Sequence, residues 1–223
     1  MPQVTHLETV EIEPDQSADA TIIWMHGLGA DAYDFYSVPS QLGLPARLNI
    51  RYVFPNAPRI PVTINRGLIM RAWYDVRGFD KRSEDQQQIR SSARWIMELV
   101  ARENERGVKA NRVVLAGFSQ GGAMALFTGL RYPEPLAGIM CLSGYLLLHE
   151  NLATEETNHN RDVSIFQAHG KNDPVVPYEL GRSSYDALTK ADYQIDWHEY
   201  PMAHQVCGEE LRDVGNWLIN VFG

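Results

Sequence analysis

Gly117-Phe118-Ser119-Gln120-Gly121 stands directly after the apolar run Val113-Val114-Leu115-Ala116 and directly before the helix-like Gly122-Ala123-Met124-Ala125-Leu126-Phe127. The order apolar strand, Gly-x-Ser-x-Gly, small-residue helix is that of a nucleophile elbow. A serine that must push its hydroxyl out of a sharp strand-to-helix turn adopts a strained backbone, so its neighbours two residues away on either side must be small. Gly117 and Gly121 meet that demand. The helix that follows aims its free N–H groups and positive dipole end at the place where an oxyanion would form. The five-residue pattern alone is weak, and its flanks give it meaning.

Working outward, apolar runs of strand length recur at 7–12, 21–26, 49–54, 113–117, 137–143, 163–169 and 195–200, with helical patterns between several of them. Such alternation predicts an α/β fold with a mostly parallel central sheet of about seven strands flanked by helices. The clearest helix is expected from about Glu84 to Arg106, with Ile89, Ala93, Ile96, Met97 and Val100 on one face, a capping box of Ser83 and Gln86, and Gly107 as the stop. A second is expected from Glu209 to Phe222. Between Ser143 and Val163 the chain is too short to build a separate cap domain. Residues 1–223 are therefore read as a single domain.

Composition narrows the function. With 223 residues, 44% of them hydrophobic, the chain can bury a sizeable core. A net charge of -8 and a pI near 5.3 argue against duplex nucleic acid or anionic lipid as a binding partner. Two cysteines, Cys141 in an apolar run and Cys207 in a polar one, give no disulfide framework. The start lacks a secretory pattern and no apolar stretch reaches membrane-spanning length. The expectation is a cytoplasmic protein, monomer or homodimer, with a small-molecule partner and no stable membrane association.

A serine hydroxyl needs an imidazole to take its proton, and the imidazole needs a carboxylate to fix its tautomer. Seven histidines compete. Hydrolases of this architecture supply the groups in the order Ser, Asp or Glu, His, at the carboxyl ends of strands. His6 and His26 precede Ser119, and His169 and His198 lie within expected strands, whereas His204 follows the last strand in Tyr200-Pro201-Met202-Ala203-His204. Asp173, in His169-Gly170-Lys171-Asn172-Asp173-Pro174, lies just beyond a strand and between the other two in order. Asp162, Asp192, Asp196 and Asp213 fall at the wrong strand edge or on a helix. For the oxyanion hole, backbone N–H groups of Gln120 and of Leu28, in His26-Gly27-Leu28-Gly29, are the candidates. Loss of Asp173 is expected to cost less activity than loss of Ser119 or His204.

Gly27-Leu28-Gly29-Ala30-Asp31-Ala32 also imitates a dinucleotide fingerprint, but the acid that would hold a ribose is missing around 49–56. No zinc-type ligand spacing is present, and neither metal nor cofactor is implied. A hydrolase-like scaffold that only binds is the third reading; the presence of all three triad residue types stands against it.

Taken together, His26-Gly27-Leu28-Gly29, Trp73-Tyr74-Asp75, Gly117-Phe118-Ser119-Gln120-Gly121-Gly122, Asp173 and Pro201-Met202-Ala203-His204 resemble the acyl-protein thioesterase/carboxylesterase family across nearly the whole chain, most closely its small bacterial carboxylesterases. The resemblance implies an α/β-hydrolase fold, a Ser119–Asp173–His204 triad, an oxyanion hole from Leu28 and Gln120, and hydrolysis of carboxylic esters or thioesters through an acyl-enzyme. Small acyl esters are the expected substrates. Long-chain acyl-protein thioesterase or lysophospholipase activity is the alternative. Eukaryotic members that act on lipidated proteins can carry an N-terminal cysteine as a lipidation site, and Pro2 stands there in this chain.

Two further features bear on substrate. Ile60, Val62, Ile64, Leu68, Ile69, Met70 and Trp73 follow neither helical nor strand periodicity, and Leu68, Met70 and Trp73 are the candidate acyl-groove residues. From Phe35 to Tyr74 there is no acid, yet Arg47, Arg51, Arg59, Arg66 and Arg71 all fall there. These arginines either pair with carboxylates from elsewhere or, at Arg59, Arg66 and Arg71, line the substrate path. Ester against thioester preference, chain length and the physiological substrate are open at this level, because a thiol leaves with so little help that a triad serves both.

Overall fold

The computed structural model describes residues 6–78 and 85–223. Seven strands form one sheet in the order β1 (Thr9–Ile12), β3 (Ile50–Pro55), β2 (Ala20–Met25), β6 (Val113–Phe118), β7 (Gly138–Leu142), β8 (Ser164–Gly170), β9 (Ile195–Tyr200). Only β1 runs antiparallel to its neighbour. Each expected strand is found within two residues at either end. Central strands β2 and β6 are buried and, Thr21 apart, carry no polar side chain, because both faces of the sheet are covered.

Helix α1 (Gln86–Glu105), α2 (Gln120–Gly129) and α4 (Tyr178–Lys190) cover one face, burying Ile89, Ile96, Leu126 and Leu188 against Leu115, Ile139 and Ile165. On the other face α5 (Gly208–Phe222) places Leu211, Val214 and Leu218 against Val114, Met140 and Phe166. A single turn, α3 (Leu152–Glu155), and short 3-10 turns fill the segment after β7. The expected Glu84 start and the Ser83 cap of α1 lie outside the described residues. The observed cap is Asp85, whose Oδ1 accepts the Gln88 N–H at 3.0 Å, so Gln86 opens the helix instead of closing a capping box.

One element differs from the sequence reading. Residues 59–71 form a β-hairpin, β4 (Arg59–Val62) paired antiparallel with β5 (Leu68–Arg71), outside the main sheet. Its strands are four residues long, one of them contains Pro61, and Leu68 and Ile69 are both exposed, so no alternation marks them. Asp75 fastens the turn that joins the two strands by accepting the Thr63 N–H and hydroxyl, both at 2.7 Å. Burial alone would raise the Asp75 pKa; these bonds and Arg77 outweigh it and hold the carboxyl below its ordinary value. At Arg51 the structure agrees with the reading that the arginines between Phe35 and Tyr74 pair with carboxylates from elsewhere: fully buried Glu103 of α1 accepts from Thr21 Oγ1 at 2.9 Å and from Arg51 Nη1 at 2.8 Å.

Candidate active site

The three groups converge at the carboxyl ends of β6, β8 and β9. Ser119 leaves β6 at φ 55 and ψ -120, a left-handed conformation held in place when its N–H donates to the Leu142 carbonyl at 2.8 Å. The elbow leaves no room for side chains at its glycines. A Cβ on Gly117 would stand 2.2 Å from the Gly121 carbonyl carbon, and one on Gly121 would stand 2.2 Å from the Met25 carbonyl oxygen. Two strands and a helix start are thus packed backbone to backbone around one serine.

His204 Nε2 lies 2.9 Å from Ser119 Oγ, and His204 Nδ1 lies 2.7 Å from Asp173 Oδ2. The other carboxylate oxygen, Oδ1, accepts the N–H groups of Val175 and Val176 at 2.8 and 2.9 Å. Those two donors orient the acid, so that Nδ1 of His204 carries the proton and Nε2 presents a lone pair to the serine. The loops carrying the acid and the imidazole are joined by main chain: Lys171 N–H donates to the Tyr200 carbonyl and Asn172 N–H to the Met202 carbonyl. Gly170 permits this approach, since a Cβ there would meet the Met202 oxygen at 2.5 Å. Phe118 packs on the His204 ring at 4.7 Å between centroids.

Gln120 is the first residue of α2, where the N–H has no carbonyl one turn back. Leu28 lies in the turn after β2, next to Gly27, where an added Cβ would stand 3.4 Å from Ser119 Cβ. Its neighbours Gly29 and Ala30 donate to the Arg71 and Gly27 carbonyls, while the Leu28 N–H makes no hydrogen bond among the described residues. His26 anchors that turn: Ala57 N–H donates to its Nε2 at 3.1 Å, which leaves the proton on Nδ1 beside the Gly27 carbonyl at 2.7 Å. Burial pushes the His26 pKa below its ordinary value, so the ring stays neutral in this role.

The groove candidates separate. Leu68 is 64% exposed on the hairpin, and Met70 is half-buried with its sulfur over Gly29. Trp73 corrects the expectation: its ring is 1% exposed and its Nε1–H donates to the His26 carbonyl at 3.0 Å, so it packs beneath the site and lines no groove. Arg51 pairs with Glu13 and Glu103, and Arg71 with Glu8 at 3.5 Å. Arg59 and Arg66 are exposed on the hairpin, without an ion pair among the described residues.

Sequence reasoning passed over two residues that touch the machinery. His169 Nε2 stands 3.6 Å from Asp173 Oδ2 on a fully buried ring, donating to the Val176 carbonyl at 3.0 Å; burial lowers its pKa. Its position at the end of β8 was the available signal, because strand ends carry active sites in such sheets. The other is the side chain of Gln120, which no local pattern marks.

Fold and site together define a serine hydrolase of the α/β-hydrolase class. The family model described as phospholipase/carboxylesterase matches residues 7–221, and the chain belongs to that family. It is 40% identical over 209 residues to acyl-protein thioesterase 1 of Neurospora crassa, covering 89% of this chain and 85% of that one. It is 38% identical over 233 residues to acyl-protein thioesterase 1 of Mycosarcoma maydis, covering 96% and 97%. Among solved structures, Zea mays acyl-protein thioesterase 2 superposes with a TM-score of 0.87 at 28% identity, covering 97% of this chain and 99% of that one. The protein is an enzyme that cleaves carboxylic esters or thioesters. No helix among the described residues is long and apolar enough to cross a membrane.

Proposed function

We propose that Ser119, His204 and Asp173 are the nucleophile, the general base and the orienting acid, with the Leu28 and Gln120 N–H groups as the oxyanion hole. The observation that carries this reading is the unbroken hydrogen-bonded series from Ser119 Oγ through His204 to Asp173, at 2.9 and 2.7 Å. As Oγ bonds to the acyl carbon, His204 Nε2 takes the hydroxyl proton, and the carbonyl electron pair moves onto the oxygen facing the two N–H donors. On collapse the bond to the alcohol or thiol breaks, and His204 returns the proton to the leaving group. Water then repeats the cycle on the acyl-enzyme. A fluorophosphonate should label the wild type and fail to label Ser119→Ala; equal labelling of both would overturn the assignment.

Small acyl esters are the proposed substrates, with the acyl chain running along Leu68 and Met70. Support comes from the position of Met70 over the Gly29 turn. Leu68→Asp should then lower kcat/KM for octanoyl esters at least tenfold more than for acetyl esters, and equal losses would refute the groove. The relatives named acyl-protein thioesterase favour a second reading, long-chain thioesters on proteins, which matched ester and thioester series of rising length would separate. The enzyme is proposed to act as one domain, monomeric or homodimeric, in the cytoplasm, without stable membrane association or nucleic-acid partners.

A further inference from the structure

The Gln120 side chain is 4% exposed and points away from the catalytic groups toward the main chain of residues 73–74. Its Oε1 accepts the Trp73 N–H at 2.8 Å and its Nε2 donates to the Tyr74 carbonyl at 2.8 Å. One primary amide thus satisfies a main-chain donor and a main-chain acceptor of two successive residues. The same short segment is also held by the turn after β2, where Gly29 N–H donates to the Arg71 carbonyl at 2.8 Å and Trp73 Nε1–H to the His26 carbonyl at 3.0 Å. Ser92 of α1 adds a hydroxyl donor to the Trp73 carbonyl. Residues 71–74 are therefore a strap, bonded both to the turn that contains Leu28 and to the side chain of Gln120.

We propose that the Gln120 side-chain amide is a positioning residue which, through this strap, fixes the separation of the Leu28 and Gln120 N–H donors. The proposal rests on the oxyanion-hole assignment above. Two donors on different loops serve one oxyanion only if both lie about 2.7–3.1 Å from it, and displacement by about 1 Å is costly. The clamp is buried, so its amide bonds do not compete with bulk water. The strap is also the outgoing end of the β4–β5 hairpin, which ties the position of Leu68 and Met70 to the oxyanion donors.

The test compares Gln120→Leu, Trp73→Phe and the double variant in the full chain, by steady-state hydrolysis of a butyryl ester and by binding of an acyl trifluoromethyl ketone, which forms a tetrahedral adduct. Gln120→Leu should lower kcat about 10- to 100-fold with KM within about threefold, and weaken the ketone by a similar factor. Trp73→Phe, which removes the bond to His26 and leaves part of the space of a buried indole empty, should do the same more weakly. The double variant should lose less than the product of the two, because both act through one strap. Wild-type kcat in Gln120→Leu, or a loss confined to KM with ketone affinity unchanged, would overturn the proposal. If thermal melting shows that Gln120→Leu does not fold, Trp73→Phe decides by the same criteria. Failure of the wild type to react with fluorophosphonate would instead overturn the underlying active-site reading.

Discussion

Asp173→Asn changes one atom and tests the logic of the site most directly. In the wild type Oδ1 is held by two main-chain N–H groups, from Val175 and Val176, and Oδ2 faces His204 Nδ1 at 2.7 Å. The asparagine oxygen will stay where the two donors are, because a flipped amide would set its NH₂ against both of them. Each such bond is worth about 1 kcal/mol, and a buried donor left facing another donor costs about 1–3 kcal/mol. The flip is therefore opposed by a few kcal/mol, against about half as much for the single conflict at His204. The NH₂ group then faces Nδ1, which must become an acceptor, and the ring proton moves to Nε2. At 2.9 Å from Ser119 Oγ, Nε2 becomes a donor to the nucleophile and can no longer take its proton. The imidazolium also loses its counter-charge. A wrong-tautomer substitution of this kind lowers kcat about 10⁴-fold, or about 5.5 kcal/mol. Hydrolysis of a p-nitrophenyl ester at pH 7.5, with Ser119→Ala as the floor, measures it. A kcat within about tenfold of wild type, in a variant that melts normally, would refute the argument.

Two further outcomes are expected. Gly121→Ala must push a methyl into the Met25 carbonyl at 2.2 Å and should cost more than about 3 kcal/mol in urea unfolding, whereas Gly208→Ala, with nothing within 4 Å, should stay within about 1 kcal/mol of wild type. Glu210 is fully buried in the first turn of α5, and burial raises its pKa from 4.5 to about 8. The folded chain thus keeps a proton that the unfolded chain releases, so this stability is fully present below about pH 4.5 and is lost as pH rises through about 8. Glu210→Gln should therefore gain on the wild type as pH rises, by on the order of a few kcal/mol at pH 8, and melting curves that keep a constant difference from pH 5 to 9 would refute it.

Much of the fold and site was legible because the relevant signals are local. Seven apolar runs, the Gly-x-Ser-x-Gly turn and the loop positions of Asp173 and His204 each depend on a handful of neighbouring residues, and chain order allocated the three proposed roles. The hairpin at 59–71 was not legible: its strands pair only with each other, and their exposed Leu68 and Ile69 obey no burial pattern. Trp73 read as a substrate contact because an aromatic in an irregular loop carries no mark of what covers it. Helix α4 received no bounds, since its buried positions Gly181, Ser184 and Leu188 are mostly small or polar.

The sequence by itself determined the class of chemistry, because a strained serine needs small neighbours and an imidazole needs an acid, and both demands are written as residue types at fixed order. Only the tertiary structure decided how the site is held. The Gln120 amide reaches residues 46 and 47 positions away, His169 stands behind Asp173, and the turn after β2 hangs on Ala57 and Trp73. Such contacts join segments far apart in the chain, and no periodicity or motif encodes a hydrogen bond between two backbones that meet only after the sheet has formed.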